Sequence, residues 1–259
     1  MRLHYRKYGD YSDQHPTLIF LHGLLGSSAN WHSLARGLSG RYHVLVPDLR
    51  NHGRSPHDED VSYAALARDV MQLIDEQGLE SALLIGHSMG GKVAMWLALE
   101  QPEQVSGLVV VDIAPVAYPN RLGVIYEALH AVDQAHIGSR TEADAILARY
   151  LDDSGLRQFL LQNLRQADGV WGWRINLPAL TRGMPVIAGF PEHKGAAYPG
   201  PALFIHGGKS DYLQPASRPL IQRLFPRARV RSIPQAGHWV YAEQPQAFSA
   251  LLDEFLKEF

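Results

Sequence analysis

Ser88, His238, Asp112 and Asp211 are the side chains of this sequence that could together carry out acyl transfer. Ser88 lies in Gly86-His87-Ser88-Met89-Gly90, a G-x-S-x-G match. The motif follows the apolar run Ala82 to Ile85 and opens a helical pattern near Gly91. That context is the strand, sharp turn and helix of a nucleophile elbow. The turn strains the serine backbone, so its neighbours must be small, and Gly86 and Gly90 let the chain pass close by. A serine hydroxyl is a poor nucleophile until an imidazole takes its proton. Of thirteen histidines, His238 stands where such a base is expected, late in the chain after the last strand-like run. His87 and His206 read as local structure.

An acyl-transfer site must also hold an oxyanion, with one N–H from the residue after the nucleophile and one from a loop after an earlier strand. Here those residues are Met89 and Leu24, the latter in His22-Gly23-Leu24-Leu25-Gly26. His22 reads mainly as a loop brace, and His22 and Gly23 also count as candidate substrate contacts. An acid must orient the imidazole. Asp112 ends the run Leu108 to Val111, and Asp211 follows Ala202 to Ile205 in Gly208-Lys209-Ser210-Asp211. An acid after either strand can reach the histidine, and Ser210 can add a hydrogen bond. Arg174 and Trp239 are further candidate substrate contacts, and Arg174 equally suits a structural ion pair. Asp48 to Ser55 is a polar loop whose Gly53 and Arg54 read as stabilising.

The elements that must position these groups show as short apolar runs alternating with helical patterns. Leu18 to Leu21, Val44 to Val46, Ala82 to Ile85, Leu108 to Val111, Ala202 to Ile205 and Val230 to Ile233 read as strands. Continuous apolar strands separated by helices predict a mostly parallel sheet covered on both faces. The segment near Leu3 to Gly9 reads as a strand that can be antiparallel. The amphipathic stretch Tyr63 to Gln77 and the stretches Lys92 to Glu100 and Pro245 onward read as helices. The rhythm breaks between Pro115 and Pro199, with helical patterns near Val124 to His130, Thr141 to Leu151 and Leu156 to Gln166. About 80 residues is too long for a loop. Residues 116–199 therefore read as a helical cap over a core of 1–115 and 200–259.

Composition bounds the rest. Apolar residues make up 46 % of the 259, charged residues 19 %, and the net charge is −2. A chain so composed buries a large core and has no basic excess for nucleic acid. With no cysteine, disulfides, thiolate metal sites and a cysteine nucleophile are excluded. The first residues lack a signal-peptide core, and no apolar run can span a bilayer, so a cytoplasmic location is expected. There is no P-loop, no dinucleotide fingerprint and no H-E-x-x-H. No cofactor or metal is implied.

Gly86-His-Ser-Met-Gly-Gly91, Val111-Asp-Ile-Ala-Pro115, Trp173-Arg-Ile-Asn176, Gly207-Gly-Lys-Ser-Asp211 and Ala236-Gly-His-Trp239 together resemble the YbfF-type esterases and the abhydrolase-domain-containing protein 11 group of the α/β-hydrolase superfamily. The resemblance spans nearly the whole chain. It implies an α/β-hydrolase fold of eight strands, with a four-helix lid inserted after strand 6. It implies hydrolysis of small-molecule esters of short to medium acyl chains, with acyl-CoA thioesters or lipids as further substrates. It puts Asp112 first as the acid, with Ser210 beside it, and Asp211 as the alternative. Cleavage of carbon–carbon bonds with Arg174 on a carboxylate, perhydrolysis, and a ligand-binding receptor with residual activity are the rival readings. Haloalkane dehalogenation needs a carboxylate in place of Ser88.

Overall fold

Nine strands and ten α-helices make up the computed structural model, which describes residues 1–119 and 121–259. The central sheet contains β1 (Tyr5–Tyr8), β2 (Leu18–Leu21), β3 (Val44–Pro47), β4 (Ala82–His87), β5 (Val105–Val111), β8 (Ala202–Gly207) and β9 (Ala228–Ile233). A two-stranded hairpin of β6 (Leu164–Ala167) and β7 (Val170–Trp173) stands apart from it. The sheet order is β1-β3-β2-β4-β5-β8-β9. Only β1 runs antiparallel to its neighbour, β3; every other pair is parallel.

Every residue of β2, β3 and β4 is buried. Within these apolar runs the period-2 geometry of a strand still sorts side chains between two cores. Leu18, Phe20, Leu83, Ile85, Val109 and Val111 join one core. Ile19, Leu21, Leu84, Leu108 and Val110 join the other. Helices α1 (His32–Leu38) and α10 (Pro245–Leu256) cover the first face through Ala35, Leu38, Phe248, Leu252 and Phe255. Helices α2 (Tyr63–Glu76), α3 (Met89–Glu100) and α8 (Arg218–Leu224) cover the second. Helix α2 is started by Ser62, whose side chain accepts from Ala65 N. It stops before Gly78 at φ +66°, a conformation glycine adopts without steric cost. A single-turn helix, α9 (Val240–Glu243), follows His238.

The sheet has seven strands where the resemblance implies eight. Residues 1–4 carry no strand and are tied to neighbouring segments. The Met1 amino group pairs with Asp69 at 2.5 Å, and His4 N–H donates to Ser55 Oγ. The insertion accordingly follows the fifth sheet strand in chain order.

Between β5 and β8 lie α4 (Gly123–Gln134), α5 (Arg140–Leu147), α6 (Ser154–Leu161), the β6–β7 hairpin and α7 (Leu177–Ala188). The helical expectation for Leu156 to Gln166 holds only to Leu161; Leu164 to Gln166 is strand. Asp168 at φ 51° and Gly169 at φ 82° form the turn, and Asp-Gly between two short runs is a strong hairpin signal. Helix α7 was masked in the sequence by Pro178 and Pro185. Pro178 sits in its first turn, where its missing N–H costs nothing. Among the described residues no helix is long and apolar enough to cross a membrane.

Candidate active site

The turn from β4 into α3 holds Ser88 at φ 52°, ψ −119°, a strained conformation for any residue with a side chain. Close packing enforces it. A Cβ on Gly86 would lie 2.2 Å from Gly90 O, and one on Gly90 would lie 2.5 Å from Leu21 O. Ser88 N–H donates to Val111 O at 3.0 Å, which ties the elbow to the end of β5. The hydroxyl lines a cavity of about 190 Å³ bounded by the ends of the sheet strands and by the insertion.

His238 follows β9 and lines the same cavity. Its Nδ1 lies 2.7 Å from Asp112 Oδ2. Asp112 is fully buried, with φ 53°. Ser210 Oγ donates to the same carboxylate oxygen, and Gly207 N–H donates to the other at 3.0 Å. With Nδ1–H held by the carboxylate, the imidazole is the tautomer whose Nε2 is free to accept a proton. Tyr212 stacks on the ring at 4.2 Å between centroids. His87 Nε2–H donates to His238 O at 2.9 Å. Burial keeps the His87 imidazole neutral, well below its usual range. Among the described residues Ser88 Oγ has no hydrogen-bond partner.

Asp211 does not meet the imidazole. It is 55 % exposed and paired with Arg121, whose hydrogen bond holds its carboxyl below the usual range. The two candidate acids, equivalent by position after a strand, thus have different surroundings.

Leu24 and Met89 both line the cavity, and neither N–H has a partner among the described residues. Leu24 is held by the residues around it. Leu25 N–H donates to His52 Nε2 at 3.1 Å, while His52 Nδ1–H donates to Arg50 O. His22 accepts from Leu49 N–H at 3.0 Å and donates to Gly23 O at 2.8 Å. Both imidazoles are neutral, since burial lowers His22 and pushes His52 down to about 3. His22 is fully buried and does not line the cavity, so as a substrate contact it is corrected to a brace; Gly23 and Trp239 do line it. Arg174 lies outside this cavity and lines a neighbouring one.

Lys92 was missed. It occupies the cavity wall four residues after Ser88 and is 2 % exposed. Its Nζ donates to Ala188 O at 2.9 Å and Gly189 O at 2.6 Å, and burial lowers it to about 7. The one signal was a lone cation in the otherwise apolar stretch Gly90 to Leu99.

The fold and this arrangement define an α/β hydrolase. The family model of the alpha/beta hydrolase fold matches residues 16–245, and the chain belongs to that family. It is 44 % identical over 250 residues to the sn-1-specific diacylglycerol lipase ABHD11 of Mus musculus, covering 93 % of this chain and 81 % of that protein. It is 39 % identical over 242 residues to Esterase YbfF of Escherichia coli K12, covering 93 % of each. A solved marine microorganism esterase superposes with a TM-score of 0.93 at 41 % identity, over 98 % of this chain and 99 % of that one.

Proposed function

We propose that this α/β hydrolase is a serine esterase that cleaves carboxylic esters of short to medium acyl chains through an acyl-enzyme. His238 Nε2 removes the Ser88 proton as Oγ attacks the acyl carbonyl. The Leu24 and Met89 N–H groups receive the oxyanion. The tetrahedral intermediate collapses as His238 protonates the leaving alcohol. Water then attacks the acyl-enzyme, His238 takes its proton, and Ser88 and the free acid are regenerated. Asp112 fixes the imidazole tautomer and stabilises the imidazolium, and Ser210 holds the carboxylate. Residues 116–199 act as the lid that shapes the acyl site, and the enzyme works in the cytoplasm.

The observation that carries this reading is the 2.7 Å contact of His238 Nδ1 with the buried Asp112 carboxylate, facing the cavity that the strained Ser88 lines. The esterase and lipase names of relatives at 39–44 % identity support it.

Labelling with a fluorophosphonate, together with turnover of p-nitrophenyl acetate and butyrate, tests the proposal. The wild type is expected to label at Ser88 and to hydrolyse both esters, and Ser88→Ala to do neither. Near-native turnover by the variant would overturn the mechanism.

A further inference from the structure

A second cavity, of about 990 Å³, adjoins the Ser88 cavity and shares Asn30, Leu156, Phe159, Trp239 and Tyr241 with it. Four arginines line it: Arg6, Arg54, Arg140 and Arg174. None forms an ion pair among the described residues. Arg6 Nε donates to Ser28 Oγ and Arg140 to Leu161 O, both neutral oxygens. The Arg54 and Arg174 side chains make no hydrogen bond among the described residues, and Arg174 Nε is buried without a partner. A buried unpartnered guanidinium nitrogen requires an explanation.

The acids that line the same cavity are already occupied by backbone donors. Asp48 accepts from Ser28 N–H at 2.6 Å and Arg54 N–H at 2.9 Å. Asp153 accepts from Gly155 and Leu156 N–H. Glu243 accepts from Gly237 and Trp239 N–H. The loop that carries Arg54 is built tightly: a Cβ on Gly53, at φ +58°, would lie 2.3 Å from the Asp48 carboxylate. Arg174 is placed by its own N–H donating to Asn163 O at 2.7 Å. Both unpartnered side chains thus rise from anchored backbone into the lining of the chamber.

We infer that this chamber is a leaving-group subsite for a phosphate-bearing alcohol, with Arg54 and Arg174 as its anion contacts. The inference rests on the esterase reading of Ser88. The small cavity takes the acyl chain, and the ester bond lies at Ser88. The alcohol portion extends past Trp239 into the larger chamber. Guanidinium forks match phosphate oxygens with paired, charge-assisted hydrogen bonds. The subsite binds the group without entering the chemistry, so it acts mainly on KM.

A matched substrate pair tests it: 1-butyrylglycerol 3-phosphate against 1-butyrylglycerol, with p-nitrophenyl butyrate as a reference. The wild type is expected to favour the phosphate-bearing ester by about tenfold or more in kcat/KM, the size of one good charge-assisted contact. Arg54→Gln/Arg174→Gln should erase that preference through KM while leaving p-nitrophenyl butyrate within about twofold. Arg54→Gln alone, at an exposed position, should show the same trend without risk to folding. The oleoyl pair in phosphatidylcholine vesicles separates the sources. Preference in the soluble pair marks a free phosphate ester, and preference confined to vesicles marks a lipid headgroup. A wild type that turns over p-nitrophenyl butyrate but shows no preference in either pair overturns the subsite, as does a preference that survives the double variant. Failure to label Ser88 would instead strike the esterase reading.

Discussion

Lys92 Nζ donates to Ala188 O at 2.9 Å, joining the helix that follows Ser88 to the last turn of α7 in the insertion. Ala188 O also accepts from Tyr118 N–H, and Ile187 O accepts from the Tyr63 hydroxyl. A cation at a helix C-terminus meets its unsatisfied carbonyls and the negative end of its dipole. Burial nevertheless lowers this amine to about 7, against an unfolded value near 10.4. The folded value is the lower one, so between roughly pH 7 and 10 the unfolded chain binds the extra proton and stability rises with pH. Denaturant unfolding of wild type and Lys92→Met should show the wild type gaining about 2 kcal/mol on the variant between pH 6 and 9. Parallel stability curves would refute this.

The two carboxylates are separable by rate. Asp112→Asn keeps the shape of the group but removes the acceptor that selects the His238 tautomer. Its kcat on p-nitrophenyl butyrate should fall by roughly three to four orders of magnitude. Asp211→Asn breaks an exposed pair with Arg121, and exposed pairs contribute little. Its activity should stay within about threefold of wild type. The reverse ranking would move the acid to Asp211.

The elbow has a steric test independent of chemistry. Gly86→Ala places a methyl where Gly90 O sits 2.2 Å away, and backbone cannot yield as a flexible side chain would. Thermal unfolding should show a loss of several degrees or a failure to fold. Gly37→Ala in α1 meets nothing within 4 Å and should be neutral or stabilising by up to about 1 kcal/mol.

The brace beneath the Leu24 loop predicts an acid limb. His52 is neutral when folded and is lowered to about 3, while an unfolded histidine titrates near 6.5. The unfolded state binds more protons below pH 6.5, so stability falls as pH drops from there toward 3. His52→Gln, which can still accept from Leu25 N–H, should flatten the stability profile between pH 6 and 4. An unchanged slope would mean that His52 does not contribute to it.

Local physics made the framework legible. Ala82 to Ile85 followed by Gly86-x-Ser88-x-Gly90 specifies strand, strained turn and helix within a dozen residues, because the steric demands lie inside the segment. The parallel sheet follows from continuous apolar strands, whose composition reports burial on both faces. The hairpin at Asp168-Gly169 was equally local and was missed because a helical period was read into the start of its first strand, Leu164 to Gln166.

What the sequence by itself determined was therefore the elbow, the order of strands and helices in the core, and the late histidine on a strand's end. Which carboxylate meets His238 was a different matter. Asp112 and Asp211 each follow a core strand, and only the tertiary structure decided between them, burying one beside the imidazole and leaving the other in solvent with Arg121. The same holds for Lys92 against α7, and for four arginines from distant segments around one chamber. Such meetings depend on how the insertion packs on the sheet, across 90 or more positions of chain in the case of Lys92 and Ala188. Periodicity and spacing carry no record of contacts at that range.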